Sequence, residues 1–289
     1  LSQVLVRDVM VDDVAYVTIP GSRDRVLETL KDRWVSGVPV VKKSAVVGIV
    51  TRSDILRNPE EEQTALLMAR NPVLVSPENT VVEAAKLMAE HSIRRLPVVE
   101  DGALVGVITI ADVVRVVADT KIETPIEDYM ENTLVAVWSE MPLPLVGAVM
   151  EYADVHACSV LDSNLMLVGI VSDRDLINAT MIRDYVEKSD MAAASDEDEW
   201  TWDSTRDTMS LYYGVSRIEL KDVPVKDAMV PAITAIKSSE VGECARVMRR
   251  EQIDQMPVVN AHQKLIGMLR DRDLLRALID YHDKTQAGG

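Results

Sequence analysis

The chain contains no phenylalanine, and among its 289 residues only two are cysteine and four histidine. Without Phe, its cores must be assembled from Val, Ile, Leu, Met and Ala, and hydrophobic residues still make up 47% of the sequence. That content, in a chain long enough for two domains, argues against disorder. Cys158 and Cys244 lie far apart in apolar segments with no CxxC pattern, which predicts buried free thiols in a reducing compartment. His91, His156, His262 and His282 show no metal-ligand spacing. Positive charge is scarce too. With 31 Lys and Arg against 47 Asp and Glu the net charge is −16, and nucleic-acid binding is not expected of such a surface. No apolar run reaches the length of a membrane span and no signal-peptide pattern opens the chain, so we expect a cytoplasmic protein with no membrane association. The first residue is Leu1 rather than methionine, from which we expect that residues precede it.

What the sequence has is repetition. Gly48-Ile-Val-Thr-Arg-Ser-Asp54, Gly106-Val-Ile-Thr-Ile-Ala-Asp112, Gly169-Ile-Val-Ser-Asp-Arg-Asp175 and Gly267-Met-Leu-Arg-Asp-Arg-Asp273 share one template: glycine, two apolar residues, usually a hydroxyl, and an aspartate three positions on. The first three glycines fall at near-even intervals and the fourth comes late, so the last interval carries an insertion.

The second copy reads most clearly. Asn71 to Pro77 predicts a short strand, and Thr80-Val-Val-Glu83 is a capping box that starts a helix with Val81, Ala85 and Met88 on one stripe. Leu96-Pro-Val-Val99 and Leu104 to Ile108 form a hairpin around Asp101-Gly102, followed by a helix from Ala111 to about Val117. The unit is strand, helix, strand, strand, helix, and all four copies follow it. Each is preceded by an amphipathic lead-in ending in methionine, at Met10, Met68, Met130 and Met229. One such unit would leave its sheet bare on one face, so the units should pair.

The methionine lead-ins, the strands Val38-Pro-Val-Val41, Leu96-Pro-Val-Val99 and Met256-Pro-Val-Val259, and the fourfold glycine-to-aspartate phrase together resemble the cystathionine-beta-synthase (CBS) domain family. The resemblance covers nearly the whole chain. It implies an α/β fold of four CBS repeats paired into two modules. The first pair would span residues 1–120, with repeats at about 5–60 and 61–120. The second would span 121–289, with repeats at about 121–182 and 221–282 around an acidic, aromatic-containing insertion at about 183–220. The layout is similar to the gamma subunit of AMP-activated protein kinase and to archaeal stand-alone CBS proteins.

In this family the cleft of each pair binds adenosine derivatives, so the resemblance implies a regulatory sensor of AMP, ADP, ATP or S-adenosylmethionine with no required cofactor. The phrase residues suit that ligand. A carboxylate can accept both ribose hydroxyls, and a hydroxyl beside free helix N-terminal amides suits a phosphate. This points to Thr51 and Asp54, Thr109 and Asp112, and Ser172 and Asp175; the same pattern also serves as a helix cap. Arg94 and Arg95 match phosphate oxygens, the other reading being a solvated helix end. Arg174 could reach a phosphate or lie on its helix surface. By family position, adenine would meet Asn71, Pro72 and Val73 with Leu96 and Pro97 in repeat 2, and Thr18, Val38 and Pro39 in repeat 1.

Repeat 4 carries Arg270 where the others have a hydroxyl, ahead of Asp273, and repeat 3 has Ser159 in place of the strand proline. Arg270 would either bind phosphate or fill the site with its own charge. The insertion, with Trp200, Trp202, Tyr185, Tyr212 and Tyr213, reads as an extended helix plus loop packed on the second pair, or as a docking arm for a protein partner. No nucleophile and base pair stands out, so catalysis is not expected. The alternatives are a scaffold with vestigial sites and a regulatory subunit of another enzyme; a homodimer fits either.

Overall fold

The computed structural model describes residues 4–191 and 209–287, with side chains described over 4–183 and 218–287. Repeat 1 comprises β1 (Val17–Thr18), α1 (Arg23–Asp32), β2 (Gly37–Lys42), β3 (Ala45–Thr51) and α2 (Arg52–Arg57). Repeat 2 comprises α3 (Thr64–Leu67), β4 (Ala69–Arg70), α4 (Val81–Glu90), β5 (Arg95–Glu100), β6 (Ala103–Thr109) and α5 (Ile110–Asp119). Repeat 3 comprises β7 (Ala136–Trp138), α6 (Leu143–Tyr152), β8 (Ala157–Leu161), β9 (Leu167–Ser172) and α7 (Asp173–Asn178). After β10 (Thr180–Met191) and β11 (Met209–Leu220), repeat 4 comprises α8 (Val241–Glu251), β12 (Gln255–Val259), β13 (Leu265–Arg270) and α9 (Asp271–Ala287).

The expected capping box opens α4: Thr80 Oγ1 accepts from Glu83 N at 3.1 Å and Glu83 accepts from Thr80 N at 2.8 Å. The hairpin β5–β6 turns at Asp101 and Gly102, which have φ of 51° and 79° and lie in the left-handed region that Gly and Asp tolerate. Strands expected at Asn71–Pro77 and Ile233–Ile236 shrink to single parallel bridges, Val75 to Val98 and Ala235 to Val258. Their partner strands carry Pro97 and Pro257, which have no N–H to extend a ladder.

The lead-ins do not fold back on their own repeats. Val11 bridges Val107 in repeat 2, while β4 of repeat 2 pairs with β3 of repeat 1. Glu131 bridges Met268 in repeat 4, and Val230 bridges Ile170 in repeat 3. Repeats 1 and 2 therefore exchange lead-ins, as do repeats 3 and 4. This accounts for two sequence signals at once. A Cβ on Gly48 would lie 2.6 Å from Met68 Sδ, and one on Gly106 or Gly169 would lie 2.5 Å from Met10 Sδ or Met229 Sδ. The repeated glycine is the seat of the repeated methionine of the other copy. We expect Gly106→Val to destabilise the protein by about 2 kcal/mol through overpacking, read as a lowered urea midpoint with an unchanged slope.

Helices join the two pairs to each other. The helices α4 and α5 of repeat 2 pack on α8 and α9 of repeat 4 around one continuous core that includes Val117, Ala245 and Leu278. Repeats 1 and 3 meet through α2 and α7: Ile177 of α7 is buried in the core of repeat 1, and Leu56 of α2 touches the cores of both.

The insertion departs from the helix-plus-loop expectation. β10 and β11 form an antiparallel ribbon in register from Thr180–Leu220 to Met191–Met209. Tyr185, Val186, Tyr212, Tyr213 and Val215 lie in these strands, and β-branched and aromatic residues favour extended backbone. Trp200 and Trp202 lie outside the described residues.

Candidate functional site

In every repeat the glycine-to-aspartate phrase carries the chain from the second hairpin strand into a helix. Thr51 N and Oγ1 both donate to Asp54 Oδ2 at 2.7 Å, and Thr109 N and Oγ1 do the same to Asp112 Oδ2 at 2.7 Å. Ser172 N and Oγ reach Asp175 Oδ2 at 2.8 and 2.7 Å, whereas Arg270 offers Asp273 only its backbone N–H, at 2.8 Å. Each aspartate is thus the N3 residue that closes a helix start, the capping arrangement. Among the described residues Asp54 and Asp175 each accept through Oδ2 only. Asp112 differs: it is 4% exposed and its Oδ1 is held by Arg115. Both of its oxygens are engaged within repeat 2.

Residues opposite the hydroxyl across each hairpin are Gly37, Arg95, Ala157 and Gln255. Only Arg95 brings a charge. Its side chain leaves repeat 2 and lies over Gly37 of repeat 1, where the absence of a Cβ makes room for the guanidinium, and Nη2 donates to Ser36 Oγ at 2.6 Å. Arg95 is 8% exposed, and among the described residues no ion pair to a carboxylate is formed by it. Burial, with Arg94 and Arg52 nearby, pulls its pKa down to about 10, against a weaker opposing pull from Asp173 and Asp54. Arg95 therefore belongs with Thr51 and Asp54 of repeat 1, not with Thr109 and Asp112 as sequence position alone suggests.

Arg94 points the other way. It donates to Asp254 at 2.8 Å and to Asp271 at 2.5 Å, both in repeat 4, so its charge ties the two pairs together while its side chain still lines a cavity at their junction. Burial opposes its charge, but Asp271 and Asp254 outweigh that and hold its pKa above the usual range. Arg52 makes the corresponding link on the other side, reaching Asp173 of repeat 3 at 3.3 Å, with His156 Nδ1 3.6 Å from the same carboxylate. Burial opposes the charge of Asp173, yet His156 and Arg52 hold its pKa below the ordinary value. The junction is polarised: Arg52, Arg94 and Arg95 come from repeats 1 and 2, and Asp173, Asp254 and Asp271 from repeats 3 and 4. Burial lifts Asp271 to about 6 despite Arg94.

A cavity of about 580 Å³ opens where repeats 3 and 4 meet repeat 2: Thr133, Leu134 and Val135 and the Arg270–Asp273 segment line it together with Ser92, Ile93 and Arg94. Glu131 holds both Arg270 and Arg272. Arg270 and Arg272 thus share one carboxylate, two guanidiniums to a single negative charge. Burial, together with Glu131, raises Asp273 to about 6. In repeat 3, Ser159 N donates to Val135 O at 3.1 Å, a bond that proline could not make, while its buried Oγ has no partner. Arg174 is half-buried and near Arg52.

The expected adenine slot is only partly available. Val38 and Leu96 are both 0% exposed and belong to the hydrophobic cores, and Pro39 and Pro97 are buried beside them. Their side chains serve packing first. Thr18 and Asn71 are exposed, and Pro72 and Val73 are half-buried.

The CBS domain family matches residues 6–61, 64–119, 126–181 and 221–280. The chain belongs to the CBS domain family. It is similar to protein MJ1225 from Methanocaldococcus jannaschii, 25% identical over an alignment of 191 residues that covers 60% of this chain and 68% of that protein. The crystal structure of MJ1225 covers 95% of this chain and 100% of its own, with a TM-score of 0.75 at 20% identity, a likeness of fold. An uncharacterized conserved protein from Pyrococcus horikoshii covers 95% of this chain and 99% of its own, with a TM-score of 0.63 and 27% identity. A crystal structure of CBSX2 in complex with AMP covers 40% of this chain and 97% of its own, at 32% identity and a TM-score of 0.38. Among the described residues no helix is long and apolar enough to cross a membrane, and no cluster of His, Cys, Asp and Glu could hold a metal.

Sequence reasoning passed over Arg52, Asp173, Asp271 and Glu131. The first three carried a usable signal. Arg52, Ile110, Asp173 and Asp271 occupy one column of the repeat, directly after the hydroxyl or its substitute, and Ser36, Arg94, His156 and Asp254 occupy another. Read down these columns, the first pair is basic and the second acidic.

Proposed function

We propose that this CBS protein is a regulatory sensor of adenine nucleotides, with its principal phosphate site in the cleft between repeats 1 and 2. Residues 1–120 and 121–289 are its two functional pairs. One observation carries the reading: Arg95 is a buried guanidinium with no carboxylate partner, beside Ser36, Thr51 and Asp54. An anion with several acceptor oxygens would supply what the fold leaves out, and phosphate has that chemistry. The ribose is assigned to the Oδ1 side of Asp54, and the base to the neighbourhood of Pro72 and Val73.

A ligand that binds only the folded state must stabilise it. Melting the protein with AMP, ADP, ATP and S-adenosylmethionine should show stabilisation by the phosphorylated ligands, about 3 kcal/mol at a hundred times Kd. A melting point unmoved by all four would leave the scaffold reading, which the self-capped aspartates favour. Turnover of ATP or AMP during incubation would overturn both. The ribbon β10–β11 is the part we assign to a protein partner, because a two-stranded ribbon is marginal in water without one.

A further inference from the structure

The four repeats form a quasi-symmetric ring, and its two helical seams are unequal. Between repeats 2 and 4, α5 has 10 residues and α9 has 17, and they pack with α4 and α8 into one core. Between repeats 1 and 3, the corresponding α2 and α7 have only 6 residues each and cannot close the seam. The chain ends α7 at Asn178 and at once enters the ribbon, whose root crosses the gap. Ile218 N donates to Pro59 O at 3.2 Å and Lys221 N to Ala179 O at 3.2 Å, fixing that root to both repeats. What lies beneath it is a cavity of about 530 Å³.

We propose that this cavity is a second binding site, separate from the adenosyl clefts, for a compact ligand with an apolar body, a hydrogen-bonding end and no net negative charge. Leu56, Ala148, Met150, Leu176, Ile218 and Leu220 line it, and Ser53, His156 and Asp173 form one polar end. The volume and the mostly apolar wall with few converging polar groups are those of small-molecule sites. Charge decides the class. Four carboxylates, Glu151, Asp173, Glu219 and Asp222, line the cavity against two guanidiniums, Arg57 and Arg183; Arg57 is paired with Asp154 at 2.5 Å, Arg183 with Glu219 at 3.4 Å and Asp173 with Arg52 at 3.3 Å, so the excess negative charge of the lining rests on Glu151 and Asp222. A nucleoside polyphosphate would meet repulsion here, and a neutral or singly cationic ring compound would not. Asp173 also holds Arg52, so an occupant touching Asp173 acts on the junction between the pairs.

The test uses 1-aminoanthracene, a neutral fluorophore that brightens in apolar surroundings, and the sulfonated 8-anilinonaphthalene-1-sulfonate as the anionic counterpart. The full chain should bind 1-aminoanthracene saturably at one site and the sulfonate at least about tenfold more weakly. Ala148→Phe and Leu56→Phe fill the cavity from different helices, and each should weaken 1-aminoanthracene at least about tenfold without moving the melting response to AMP. Should one variant not fold, the other reads the same space from the opposite wall. Unchanged binding in a folded variant, no saturable binding in the parent, or tighter binding of the sulfonate would overturn the proposal.

Discussion

Arg95→Met is expected to raise the melting temperature of the ligand-free protein and at the same time remove its response to AMP. The two effects have one cause. Arg95 is held in the folded state as a buried cation without a counter-charge, and its pKa of about 10 records the penalty. The depression from an ordinary arginine is worth about 3 kcal/mol, offset by the hydrogen bond to Ser36, worth about 1 kcal/mol. Methionine fills much of the same volume with no charge to desolvate, so a gain of about 2 kcal/mol is expected. Because a base with a depressed folded-state pKa carries its penalty wherever it is protonated, the gain should persist at every pH below about 10. Binding should weaken by about a hundredfold, the worth of a desolvated charge-assisted contact. Calorimetry with AMP and a ligand-free melt, made on one preparation, read both. Arg95→Lys keeps the charge and loses the planar fork, so it should fall between parent and methionine in affinity without the gain in stability. A methionine variant that binds AMP with undiminished affinity would place the phosphate elsewhere.

The units of the fold were legible because their signals are local. Thr80 and Glu83 sit three residues apart and satisfy each other's backbone, and the Asp101-Gly102 turn needs only its own two residues. The pairing of Gly106 with Met10 was present as two recurrences, but nothing local says that the methionine of one copy seats on the glycine of another. The site was harder for the same reason. Arg95 lies opposite Thr109 along the backbone, yet a long side chain that finds room above Gly37 serves another repeat. The polarised junction depends on how helices of distant repeats meet, which no window of sequence contains. The ribbon was not legible because β10 begins two residues after α7 ends, where the sequence reads as an extension of that helix.

The polarised junction also sets the second large effect. Arg94→Ala should destabilise the protein by about 2 kcal/mol at neutral pH, because it leaves buried Asp271 beside Asp254 without their cation, the part-exposure of Arg94 and Asp254 tempering the full cost of a broken buried pair. Acid should then rescue the variant. Burial already lifts Asp271 to about 6 with Arg94 in place, and removing the arginine lifts it further, far above its value of about 4 in the unfolded chain. Between these two values the folded state binds the proton that the unfolded state lacks, so stability falls as pH rises through the folded-state pKa and returns as pH is lowered. Urea midpoints of parent and variant, measured from pH 7.5 to 5, should converge. Asp271→Asn added to Arg94→Ala should recover a large part of the loss at pH 7.5, since the amide holds the geometry without the charge. If the gap between parent and Arg94→Ala were the same at both ends of that range, the loss would come from packing around the arginine stem and not from the unpaired carboxylates. The same logic links the junction to the ligand. A phosphate at Arg95 adds negative charge close to Arg94 and Arg52, where it competes with Asp254, Asp271 and Asp173 for the same cations. If the proposed site is right, filling the first pair's cleft would loosen the pair-to-pair ion pairs by as much as those pairs weaken binding, a reciprocity that thermodynamic linkage requires.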